Sequence, residues 1–159
     1  MGKPLKRHPA LVPLSKDHHF GLLLVWKIRM GLKRNTETRR ILRYLEYFYQ
    51  HHLEPHFQLE EQYVFSFLAK NDLMRKEVEK QHADLRLLVG KLLAQEDDAR
   101  ELLEEFAGVL EAHIRFEERK LFQHMQLELT EDELLEMKDR VDQIHEGTDE
   151  NWQDQFWVK

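Results

Sequence analysis

The sequence predicts an all-α protein: an up-down four-helix bundle with an additional C-terminal helix and an irregular aromatic tail. Three observations point there. The 159 residues are 42% apolar and 34% charged with only 6 Gly and 4 Pro, too apolar for disorder and too poor in turn formers for a many-stranded β protein. Long stretches carry apolar residues at helical spacing and are joined by short polar connections. The two halves of the chain also repeat one another, as in a bundle made of two helix hairpins.

Residues 1–14 contain Pro4, Pro9 and Pro13 and read as an extended arm. Ser15 is the expected N-cap of a first helix running to about Leu32, with Gly31 and the polar "KRNTET" making the connection. The second helix spans about Thr36 to Leu68, with a kink or break at Pro55. Asn71 and Asp72 open a third helix to about Ala94, "QEDDA" breaks it, and a fourth runs from about Asp98 to Gln126. Thr130 and Glu133 have the spacing of a capping box and start a fifth, shorter helix. Residues 15–126 are thus the bundle, and residues 127–159 a helix and tail packing on it or at a subunit contact, so a homodimer is possible. Trp152, Phe156 and Trp157 read as packing residues.

Composition excludes several functions. Without cysteine there are no disulfides, thiolate metal sites or cysteine nucleophiles. A net charge of −6 with no basic stripe argues against nucleic acid. The longest apolar run, "FGLLLVW" from Phe20 to Trp26, falls short of the roughly 18 residues of a spanning helix, so no membrane partner is expected. "MGKPLK" has Lys6 where a myristoylation signal wants Ser or Thr. The expected location is cytoplasmic. No phosphate loop, nucleophile motif or dinucleotide fingerprint is present.

The repeat isolates the chemistry. "HFQLEEQYVF" from His56 matches "HIRFEERKLF" from His113, and setting His18 over His82 aligns "KDHHFGLLLVWKI" with "KQHADLRLLVGKL". Each half therefore reads as a lone His followed by His-x-x-x-Glu on the next helix. On a helical wheel Lys16, Lys27 and Arg34 cluster on one side and His18 points opposite, whereas His19 lies off that centre. Arg29 also falls on the inward face, with no reason visible in the sequence.

Residues four apart share one helix face, so His56 with Glu60, and His113 with Glu117, each present an imidazole and a carboxylate to one point. With inward His18 and His82, six groups converge. Such a set suits iron, manganese or zinc, and Glu60 and Glu117 are the natural bridges of a dinuclear centre. A lone buried His is more often a hydrogen-bonded core residue, and one His-x-x-x-Glu is expected by chance. Burying four His and two Glu without a metal, however, would cost several kcal/mol. A third copy, His124 with Glu128, lies about 16 Å along the helix from His113 and is read as chance.

"DHH", "HFQLEE", "QHADL" and "HIRFEERKLF" together resemble the hemerythrin-like family, the HHE cation-binding domain, over about residues 15–126. The resemblance implies a four-helix bundle around a non-haem di-iron centre, with His18, His56, Glu60, His82, His113 and Glu117 as ligands. Oxygen carriers of the family have a His-x-x-x-His pair on the third helix, and here Val78 stands four before His82. Their last carboxylate is an Asp five residues after its His, where this chain has Glu117 at four and Glu118 at five. Glu61, Glu118, Glu79 or His52 could complete a shell, although Pro55 disturbs the geometry of His52. The expected function is a di-iron protein that binds or senses a small diatomic ligand, O2 or NO. The alternatives are a di-iron oxidase or peroxidase and an iron storage or delivery protein. A ferritin-like bundle needs two Glu-x-x-His motifs, and "EKQH" from Glu79 to His82 occurs once.

Overall fold

The computed structural model describes residues 6–95 and 98–158; the first residues of the arm and the middle of "QEDDA" lie outside this range. The described chain is a bundle of helices with no strand. Its elements are α1 (Val12–Lys33), α2 (Thr38–Phe48), α3 (Glu54–Tyr63), α4 (Leu73–Leu93), α5 (Arg100–Phe116), α6 (Phe122–Glu128) and α7 (Glu131–Ile144). α1 and α4 both pack along α5, and α7 lies against α3.

Local sequence accounts for several of these boundaries. Asp72 caps α4 by accepting from the N–H groups of Met74 and Arg75, 2.9 and 3.0 Å away. Thr130 and Glu133 form the reciprocal capping box that starts α7. The start of α1 differs from expectation. It begins at Val12, one turn before Ser15, with Pro13 in its first turn, where a missing N–H costs nothing. Ser15 is therefore not a cap, and Ala10, Leu11 and Leu14 beside it are fully buried.

Two helices are widened rather than broken. Between α2 and α3 the chain makes a π-helical turn, Tyr49–Leu53, closed by Glu54 N–H donating to the Tyr49 carbonyl. Pro55 has no N–H, and its ring crowds the carbonyl four residues back. The wider turn just ahead of it lets the helix continue, so the expected kink becomes a π turn. A second one, Glu117–Leu121, joins α5 to α6, closed by Phe122 N–H on the Glu117 carbonyl. Such turns are frequent at functional sites.

The apolar residues form two cores with a polar layer between them. Leu24, Phe57, Leu85 and Leu110 belong to one, and Leu14, Leu59, Val78 and Leu121 to the other. Along α1, along α4 and from α5 into its π turn, the sequence passes from one core to the other through His18, His82 and Glu117 respectively. The tail closes the first core. Phe156 is buried there, and Gly31 makes room for it, since a Cβ would lie 2.8 Å from both Ile41 Cδ1 and Phe156 Cε2. The tail also covers Lys27, opposite His18 on the wheel. Its Nζ donates to Tyr44 Oη at 2.9 Å and to Glu150 at 3.0 Å, and lies 4.2 Å from the Trp157 ring centroid. α1 is consequently buried on two sides. Arg29 turns out to be half exposed, donating to Glu111 of α5 at 3.3 Å.

Candidate metal centre

The six residues singled out by the repeat meet in the polar layer. His18, His56, Glu60, His82, His113 and Glu117 are all buried, with both carboxylates at 0% exposure. Their donor atoms fall into two groups within which every atom lies inside 4.8 Å of the others. One group is His18, His56, Glu60 and Glu117; the other is Glu60, His82, His113 and Glu117. Glu60 and Glu117 belong to both.

The atoms that face inward have no hydrogen-bond partner. They are the Nε2 atoms of all four His and both oxygens of each Glu. They approach one another closely, His113 Nε2 to Glu117 at 2.7 Å and His56 Nε2 to Glu60 at 3.1 Å, without hydrogen-bond alignment. His18 Nε2 lies 3.3 Å from Glu117, and His82 Nε2 lies 3.3 Å from Glu60 and 3.5 Å from Glu117. Buried polar groups are nearly always satisfied, and leaving eight of them unpaired at one point would be very costly. Imidazole nitrogen and carboxylate oxygen are donors for divalent first-row cations, so the donor set fits a metal centre.

The outward nitrogens are all anchored. His18 Nδ1–H donates to Glu118 at 2.7 Å and His82 Nδ1–H to Glu61 at 2.7 Å. His56 Nδ1–H donates to Asp17 and His113 Nδ1–H to Gln81, each at 2.8 Å. This places the proton of each neutral ring on Nδ1 and the lone pair on Nε2, aimed at the cluster. The anchors are themselves held. Glu118 accepts from Ser15 Oγ and Arg7, Glu61 from Arg86, and Asp17 from His145. Phe57 stacks on the His82 ring with centroids 4.0 Å apart.

The electrostatics ask for positive charge at the centre. Burial disfavours charged His18, but Glu117 and Glu118 overcome it and push its pKa up to about 9. Burial likewise opposes charge on His82, yet Glu117, Glu60 and Glu61 raise it to about 10. His56 is raised well above its ordinary value, against burial, by Glu60 and Asp17. Despite burial Glu117 is held well below the usual carboxylate range, chiefly by His113. A divalent cation meets the same demand as protons on these rings.

The other candidates from the sequence fall elsewhere. Glu61 and Glu118 stand behind His82 and His18 rather than in the cluster. Glu79 reaches outward to Arg75 at 3.5 Å. His52 is in neither group, although its Nε2 is buried without a partner. His124 pairs with Asp72 at 2.6 Å, away from the centre. Asp17 and Gln81 were not picked out by sequence reasoning, and the repeat held the clue. Each immediately precedes a lone His and anchors the His of its own half's His-x-x-x-Glu motif. Removing the anchor should loosen the ring it orients: Asp17→Ala or Gln81→Ala is expected to weaken metal binding about 10- to 100-fold in a competition titration against a chelator.

Neither a curated relative nor a solved structure matches the chain significantly. No helix among the described residues is long and apolar enough to cross a membrane. The model of the hemerythrin HHE cation-binding domain does match, over residues 16–125, which contain all six clustered residues and the four that anchor their rings. With that match over more than half its length, and with buried His and Glu groups able to hold metal, the chain belongs to the hemerythrin HHE cation-binding domain family.

Proposed function

We propose that His18, His56, Glu60, His82, His113 and Glu117 hold two iron ions, with Glu60 and Glu117 shared between them, and that the centre binds or senses O2 or NO. The supporting observation is the pair of overlapping donor groups whose common members are the two fully buried carboxylates. A reduced iron pair supplies electrons and an open position for a diatomic ligand. The protein's part is to present Nε2 lone pairs, to fix each ring through its Nδ1–H, and to keep the site between two apolar cores. The up-down arrangement of four long helices belongs to this reading, because it brings a lone His and a His-x-x-x-Glu motif from each half to one level.

A second reading, a di-iron oxidase or peroxidase, is favoured by one feature. A cavity of about 350 Å³ reaches His18, His56 and His113. That is more room than a diatomic molecule needs, a single water having a share of only about 30 Å³.

Metal analysis by mass spectrometry tests the proposal. Protein purified without added metal should carry about two irons per chain, the number a shared-carboxylate pair requires. Its visible spectrum should then change on adding O2 or NO to the reduced form. One zinc per chain, or no stoichiometric metal after iron reconstitution, would overturn it.

A further inference from the structure

The cavity beside the centre has a definite chemical character. Its inner wall is formed by ring and branched side chains, among them Phe48, Phe57, Leu110 and Ile114. Residues 144–149, from the final residue of α7 onward, also line it and lie beyond the segment matched to the family. His52 lines this cavity too and belongs to neither donor group of the metal centre. Its Nε2 is buried with no hydrogen-bond partner. A neutral ring with its proton on Nδ1 offers a lone pair at Nε2. Burial pulls the His52 pKa down, which agrees with a neutral ring.

We propose that this cavity binds a small, uncharged, hydroxylated aromatic molecule, its ring against Phe48 and Phe57 and its hydroxyl donating to His52 Nε2. Three features select that class. A volume of about 350 Å³ exceeds the roughly 150 Å³ of an engineered cavity that accepts benzene, leaving space for a substituted ring. Aromatic walls favour an aromatic guest through offset and edge contacts. The acids Asp17, Glu146 and Asp149 line the same space beside the imidazoles of His51 and His145, so the lining favours neither sign of charge on the guest. A buried acceptor without a donor discriminates strongly against guests that cannot supply one. This site deepens the oxidase-type reading and rests on the metal centre for its significance, though not for its ability to bind.

Calorimetric titration of the purified full chain with phenol, toluene and benzoate is the test, with metal content measured on the same sample. Phenol should bind one molecule per chain and more tightly than either other probe. His52→Phe keeps a ring beside Phe48 and should weaken phenol about 5- to 10-fold, bringing it to the level of toluene. Ile144→Trp, at a partly exposed position on the cavity wall, fills the space without disturbing the buried core and should abolish binding. Toluene or benzoate binding as tightly as phenol overturns the assignment, as does a phenol affinity unchanged in both variants or no binding at all. Two irons per chain without phenol binding would sink the cavity proposal alone. Phenol binding to a chain that takes up no stoichiometric metal would sink the metal proposal alone.

Discussion

Glu117→Gln should strip the protein of nearly all its bound metal, whereas His113→Ala should remove only about half. The difference follows from membership. Glu117 supplies an oxygen to both donor groups, while His113 belongs to one. An amide keeps the side chain's size but loses its charge, at a point where burial already makes uncompensated charge expensive. Loss of a group that merely orients a ligand typically costs 10- to 100-fold in affinity, so loss of a shared ligand should exceed about 100-fold for each ion. Metal content per chain, with circular dichroism to confirm folding, reads this out. Equal losses in the two variants would mean that the two groups do not share their carboxylates.

Chelation should lower the melting temperature by about 10 °C and make stability fall with rising pH where loaded protein holds it. A ligand present at about 1,000 times its dissociation constant stabilises by about 4 kcal/mol, and a domain of this size gains about 2–4 °C per kcal/mol. The pH argument comes from the imidazoles. In the folded metal-free chain His18 is raised to about 9 and His82 to about 10, from 6.5. A raised imidazole stabilises the fold fully below the unfolded value and loses that contribution as pH rises through the folded one. Chelated protein should therefore become less stable between about pH 6.5 and 10. Metal displaces those same protons, so loaded protein should hold its stability over that window while its metal affinity rises. Acid should release metal from above pH 6.5 downward, earlier than an ordinary imidazole would suggest. Parallel thermal melts with and without chelator would decide it. Identical melting temperatures would show that these six residues bind nothing of consequence to the fold.

The repeat carried more than the six clustered residues. Asp17 and Gln81 occupy matched positions before His18 and His82, and each anchors its own half's second His. Glu61 and Glu118 occupy matched positions after Glu60 and Glu117, and each anchors the lone His of the opposite half. The whole arrangement is thus doubled, down to the groups behind the rings. From the sequence Glu61 and Glu118 looked like candidate ligands, because adjacent glutamates on a helix differ only by the angle at which they leave it.

What the sequence determined by itself is whatever depends on short-range periodicity. Apolar stripes fixed the helices, Asp72 and the Thr130–Glu133 pair fixed two of their starts, and the repeat, with one lone His and one i,i+4 pair in each half, fixed the six buried residues. Tertiary structure alone decided what faces what across the chain. Asp17 reaches His56 over 39 positions and His145 over 128, and no local pattern distinguishes such an aspartate from one facing water. Lys27 looks solvated on a wheel until a tail more than a hundred residues away covers it. Pro55 reads as a break until the preceding turn widens to absorb it. Hydrogen bonds and burial between distant segments depend on the relative placement of whole helices, which is set by the sum of their packing and not by any one stretch of sequence.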